Sequence, residues 1–83
     1  MTKIRVLEIL AEADDFVPPD HVVMRLQPRP QRTSVYSYLS RLHRQGLLVR
    51  DQRWGQIVYR LSDKGLHRLK FLMQRENKAL FWS

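Results

Sequence analysis

Between Arg29 and Arg44 the chain places Arg29, Gln31, Arg32, Thr33, Ser34, Tyr36, Ser37, Arg41 and Arg44 in one short run that contains no acidic residue. Guanidinium groups offer forked N–H donors that match paired acceptors, a glutamine amide sets a donor beside an acceptor, and hydroxyls do either at short reach. The chemistry open to such a set is recognition by hydrogen bonding and charge, directed at phosphate oxygens and at the edges of planar heterocycles. Bond-making chemistry has little to work with. His21, His43 and His67 have no metal-ligand spacing, and the chain has no glycine-rich phosphate loop, nucleophile motif or paired catalytic carboxylates. No enzymatic activity, metal or cofactor is therefore expected. His43 and His67, in basic amphipathic segments, are expected at the surface or on phosphates.

The charge around this run is lopsided. The formal charge is +7, but residues 1–24, with two basic and five acidic side chains, sum to −3, and residues 25–83, with thirteen and three, sum to +10. A basic balance placed this way points to a polyanionic partner, nucleic acid first and an anionic membrane second, with solubility as the plain alternative. At 83 residues the chain makes one domain, 1–83, with one modest core, and the absence of cysteine removes the disulfide or thiolate metal site that often staples so small a fold. Helix packing or a second copy of the chain must supply the stability. The opening "MTKIRVLEILAEADD" lacks a long apolar segment and acquires acids within one helix length, so neither a signal peptide nor a membrane span is expected. The expected location is the cytoplasm or the nucleoid.

The run must be held by helices. Ile4, Leu7, Leu10 and Ala11 recur at helical spacing and predict a first helix, with these four on its buried side. Pro18 and Pro19 suit a helix start, and Val22, Val23 and Leu26 give a second helix of about two turns. The prolines of "QPRPQR" end it and leave a short connection. From about Gln31 to Gln45, at about 100° per residue, Val35, Leu39 and Leu42 fall on one face of a third helix. Thr33, Ser37, Ser40 and Arg44 fall opposite, flanked by Ser34 and Arg41 on one side and Tyr36 on the other, while Tyr38 sits at the core boundary. Gly46 is placed to stop this helix in the left-handed conformation, with Leu47 packing back on Leu42.

Beyond it, "LLVRDQ" and "QIVYRL" flank "RWG", which predicts a hairpin with Arg53, Trp54 and Gly55 at its tip. Ser62 then serves as the N-cap of a last helix over 63–82, with Asp63 near its positive end and Gly65 a local weakness of ~1 kcal/mol relative to alanine. Leu66 and Leu69 are expected in the core. Met73, Leu80, Phe81 and Trp82 extend the apolar stripe past what a small core needs, fitting a twofold dimer interface. The expected fold is mainly α with a small β-hairpin. It is a winged helix-turn-helix with three helices, a two-stranded wing and a C-terminal helix.

Ser34, Val35, Tyr36, Leu39, Leu42, Gly46 and Leu47, taken with "YRLSDKGLHRL" at 59–69, resemble winged helix-turn-helix transcription regulators, especially the PadR group and its MarR-like relatives. The likeness covers about residues 3–70, with Ser62 where those families carry threonine. It implies double-stranded DNA binding, usually as a homodimer, with the third helix in the major groove and the wing, here about 51–57, on the minor groove or backbone. The wing is shorter than in MarR proteins, and the extra helices that build ligand pockets there have no counterpart here. A small-molecule effector is therefore not expected.

On that footing Gln31, Arg32, Thr33, Ser34 and Ser37 lie in the helix half that reaches bases. Arg32 suits guanine and Gln31 adenine, although Gln31 and Thr33 also qualify as simple caps. Arg29, Arg41 and Arg44 suit phosphates. Tyr36 either donates to a phosphate or packs under the second helix. Arg53 suits a narrow minor groove, and Trp54 either presses on the backbone or folds onto the core. A DNA-binding regulator, acting as a repressor, is the leading expectation. A winged-helix adaptor joining an assembly through the apolar last helix, and an RNA-binding module, are the alternatives.

Overall fold

A computed structural model describes the backbone of residues 1–82 and the side chains of residues 1–75. The order is α1 (Lys3–Ala13), α2 (Pro19–Arg25), α3 (Arg32–Arg44), β1 (Leu48–Arg53), β2 (Gln56–Leu61) and α4 (Asp63–Trp82). This is the helix, helix, helix, hairpin, helix order expected. Thr2 caps α1 by accepting from the Arg5 N–H at 3.2 Å. α1 is the hub of the fold: it packs on α2, on β2 and on α4. That explains a departure from the expected stripe. Val6, Leu7, Ile9 and Leu10 are all buried, whereas Ile4 and Ala11 are only partly so, because a helix covered on several sides buries more than one narrow face.

In α2, Pro19 occupies the first helical position, where its missing N–H costs nothing, and Val22 and Val23 enter the core. α3 contributes Val35, Leu39 and Leu42, all at 0% exposure. It is one residue shorter at each end than expected. Gln31 is extended and Gln45 is the C-cap, so both stand outside the helical ladder. The stop itself follows the expected Schellman geometry: Gly46 has φ +81°, its N–H donates to the His43 carbonyl at 2.9 Å, and the Leu47 N–H donates to the Leu42 carbonyl at 3.0 Å.

The end of α3 is tied directly to the start of α4. Ser62 Oγ accepts from the Gly65 N–H at 2.9 Å, capping α4, and donates to the Gly46 carbonyl at 2.7 Å. The Ser62 N–H donates to the Leu47 carbonyl at 3.0 Å, and Lys64 Nζ donates to the Gln45 carbonyl at 2.9 Å. The cap of α4 thereby also satisfies carbonyls of the turn that ends α3. Gly65, a weakness by helix propensity alone, is what admits this contact. A Cβ there would overlap the Leu47 carbonyl oxygen and come within 2.8 Å of Leu61 Cδ1.

β1 and β2 pair antiparallel from Leu48↔Leu61 to Arg53↔Gln56, leaving Trp54 and Gly55 as a two-residue turn. Both have positive φ, 51° and 74°, which gives a type I′ turn. Arg53 is thus the last β1 residue and stands beside the tip. Val17 adds a one-residue third strand. Its N–H donates to the Tyr59 carbonyl at 2.9 Å, and the Tyr59 N–H donates to the Val17 carbonyl at 2.8 Å. A single paired residue before two prolines leaves no periodic trace in the sequence, so this strand was not expected.

Two further expectations change. Leu66 is 39% exposed; α4 meets the core through Gly65, Leu69 and Leu72, a face on which Leu66 lies off to one side. His43 is half-buried, with its ring edge-on to Tyr59 at 6.4 Å, because its position on α3 turns it toward the hairpin. Met73 is exposed, while the side chains of Leu80, Phe81 and Trp82 lie outside the described residues.

Gly65→Ala tests the α3–α4 contact. Helix propensity alone makes it stabilising, by ~1 kcal/mol. The overlap reverses the sign, and we expect a net loss of about 1–3 kcal/mol in urea unfolding.

Candidate nucleic-acid interface

With Val35, Leu39 and Leu42 fixed in the core, the rest of α3 is turned outward by its periodicity. Gln31, Arg32, Thr33, Ser34, Tyr36, Ser37, Arg41 and Arg44 are all exposed, as is Arg29 in the preceding connection. Neither Gln31 nor Thr33 spends its side chain on capping; the Gln31 carbonyl alone enters the helix, accepting from the Val35 N–H at 3.3 Å. Small hydroxyls dominate the middle of the face, so a partner can approach the helix backbone closely. Thr33, Ser34, Ser37 and Arg41, with Tyr38 and Met1, line an open depression of about 420 Å³ on the side toward the N-terminus.

On its other side α3 faces the hairpin across a second groove, also about 420 Å³, lined by Pro19, Tyr36, Ser40, Arg50, Gln56, Ile57 and Tyr59. Arg50 and Ile57 were not among the expected site residues. Arg50 pairs with Tyr59 in the ladder, and Ile57 is 47% exposed. The signal for both was the hairpin register, which depends on where the two-residue turn falls. Arg50 thus adds a guanidinium at the seam between helix and wing, within the same groove as Tyr36.

Arg32 and Tyr36 are brought together by an acid from α2. Asp20 Oδ1 accepts from the Tyr36 hydroxyl at 3.1 Å and lies 3.4 Å from Arg32 Nε. The bond to the Asp20 carboxylate, the largest influence on the phenol, holds its pKa above the ordinary tyrosine value of 10. Of the two readings of Tyr36, the hydroxyl in this state is engaged with α2, while the ring remains 44% exposed.

At the wing, Arg53 is not a free finger. Its guanidinium lies 4.3 Å from the centre of the Phe16 ring, and its Nε is 3.0 Å from Asp51 Oδ2. The Arg60 guanidinium also lies over the Phe16 ring, 5.2 Å from its centre. The Gln52 N–H and then Arg53 hold the Asp51 carboxyl below its usual range. Trp54 does not fold back onto the core. It is 85% exposed at the tip, in a backbone conformation that bulky residues rarely adopt.

No family model matches the chain, and no curated protein matches it. Solved structures do. F93 from STIV, described as a winged-helix DNA-binding protein, superposes with a TM-score of 0.77 at 15% identity, over 92% of this chain and 87% of that one. The fold is a winged helix. BpsR of Bordetella bronchiseptica, whose DNA binding is regulated by 6-hydroxynicotinic acid, superposes with the same TM-score of 0.77 at 16% identity. The alignment covers 92% of this chain, which spans 54% of the BpsR chain. In this winged helix α2 and α3 are the helix-turn-helix and β1–β2 the wing, with Trp54 at its outermost point. No helix among the described residues is long and apolar enough to cross a membrane.

Trp54 has a testable cost. Asparagine tolerates positive φ and precedes glycine in the favoured type I′ turn. Trp54→Asn is therefore expected to raise stability by about 0.5–1 kcal/mol, measured as a higher thermal midpoint. A lower midpoint would mean that the ring contributes packing.

Proposed function

We propose that the protein is a sequence-specific double-stranded DNA-binding transcription regulator, with α3 in the major groove and the wing on the minor groove or backbone. The observation that carries this reading is the outer face of α3. Val35, Leu39 and Leu42 are wholly buried, and what remains exposed is a surface of small hydroxyls, Tyr36, one amide and arginines, narrow enough to enter a groove. The basic balance after residue 24 and the winged-helix fold support it.

In this reading Gln31, Arg32, Thr33, Ser34 and Ser37 face base edges, and Arg29, Arg41 and Arg44 hold phosphates. Arg50, at the seam, joins the phosphate contacts. Arg53 must leave Phe16 and Asp51 if it is to enter the minor groove, while Trp54 is already free to meet the backbone. A place among the PadR- and MarR-like regulators, and repression by occupancy of an operator, rest on the motifs at 34–47 and 59–69. The working form is a homodimer joined through α4, with Met73, Leu80, Phe81 and Trp82 at its interface. It needs no small-molecule effector and no metal, and works in the cytoplasm or nucleoid. Two α3 helices would then address half-sites about one helical turn apart.

Binding to a random duplex across a salt series is the first test. With about six phosphate contacts the log–log slope is expected near −5. Salt-insensitive or undetectable binding would sink the reading and leave the adaptor alternative, which the exposed Leu66 and Met73 on α4 would then serve. A duplex pool selected for binding supplies the second. Arg32→Ala should weaken the selected site by about 1–3 kcal/mol more than random DNA, whereas Arg44→Ala should weaken both alike.

A further inference from the structure

We propose that Asp20 is a specificity-determining positioning residue, a carboxylate on α2 that presents the Arg32 guanidinium and the Tyr36 hydroxyl of α3 to a base pair. The proposal rests on the DNA-binding reading above and adds to it a residue outside the recognition helix. Arg32 and Tyr36 are four positions apart on α3 and so stand one above the other, and a single oxygen, Asp20 Oδ1, meets both. Asp20 belongs to the first turn of α2, next to Pro19 at its first helical position, so the carboxylate is carried by a short helix that Val22 and Val23 anchor in the core.

The contact selects how Arg32 is offered. Asp20 lies against Nε, and no partner for the terminal nitrogens is found among the described residues. The end-on edge of the guanidinium, with its two parallel N–H groups, is the edge that matches guanine O6 and N7. An arginine free in solvent must give up rotamer entropy before it can make that pair, and a partner that already holds Nε removes part of the cost. The phenol oxygen is restrained in the same way, with its lone pairs still able to accept. An exposed ion pair of this kind adds little to folding stability, so its consequence is orientation. A carboxylate beside a phosphate-binding surface also has a cost, since it repels the phosphates that Arg29, Arg41 and Arg44 would hold. Removing it should therefore help non-specific binding while harming discrimination.

The experiment uses the full chain, the selected duplex and a random duplex. Asp20 is half-exposed and outside the core, and Asp20→Asn, which keeps an oxygen acceptor at the same place, stands beside Asp20→Ala as the milder variant. For Asp20→Ala the ratio of selected-site to random affinity is expected to fall about ten-fold, with random affinity equal or higher. In the double variant with Arg32→Ala, the ratio should fall no further than in Arg32→Ala alone, because the two act as one unit. In the free protein, ultraviolet titration of Asp20→Asn should move the Tyr36 phenol to lower pH.

Loss of discrimination with non-additivity supports the proposal. An unchanged ratio with affinity raised for every duplex would show a carboxylate that only repels phosphate, and would overturn it, as would strict additivity with Arg32→Ala or an unmoved Tyr36. A wild-type chain with no site preference overturns the DNA reading and this proposal together. Preference retained in full by Asp20→Ala overturns this proposal alone.

Discussion

Gly65 lets the first turn of α4 lie against the carbonyl of Leu47, and the placement of the whole outer surface follows from that approach. The Ser62 hydroxyl joins the Gly65 N–H of α4 to the Gly46 carbonyl just past α3, and Lys64 donates to the Gln45 carbonyl. A helix end left unsatisfied there would cost more than any one of these bonds contributes, so the arrangement holds all of them or none. Since the wing leaves α3 at Gly46 and returns to α4 at Ser62, the same junction sets the angle between helix and hairpin. The groove lined by Tyr36, Ser40, Arg50 and Ile57 is the space which that angle leaves.

Stability and recognition are divided between different residues. Among the described residues the core holds no buried polar or charged side chain, and α1 at its centre contributes four apolar residues from a face wider than a surface helix normally buries. The tip of the wing is locally expensive by comparison. Trp54 sits in a backbone region suited to glycine or asparagine. A wing whose Arg53 is stacked on Phe16 and paired with Asp51 is stiffer than a free arginine finger.

The architecture was legible because its punctuation is local. Pro18 and Pro19 open α2, Gly46 closes α3, Ser62 opens α4, and each acts on its immediate neighbours, so a reading by propensity and periodicity finds them. The buried face of α3 was legible for the same reason. What escaped depends on partners far along the chain. Val17 becomes a strand only because Tyr59 offers it a ladder, and Leu66 is exposed because Gly65 turns the core-facing side of α4 away from it. Arg50 joins the site through the hairpin register, and Asp20 reaches it from a helix sixteen residues before Tyr36. In composition Asp20 merely belonged to the acidic opening segment, and folding brings it to the most basic part of the molecule.

That crossing bears on how, in the DNA-binding reading proposed above, a chain with so uneven a charge would discriminate among duplexes. A uniform cationic face attracts every phosphate backbone alike, and its affinity falls with salt whatever the sequence. Discrimination needs donors whose direction is fixed before the partner arrives. On α3 the direction of the helix is fixed by Val35, Leu39 and Leu42, whose burial prevents rotation about the axis, and Arg32 and Tyr36 are in addition paired with Asp20. Arg29, Arg41 and Arg44 are exposed and suit a backbone that presents the same oxygens at every step. The two kinds of arginine differ in restraint and share their chemistry. In the proposed reading, restraint is the quantity that would separate an arginine that reads a base from one that holds a phosphate.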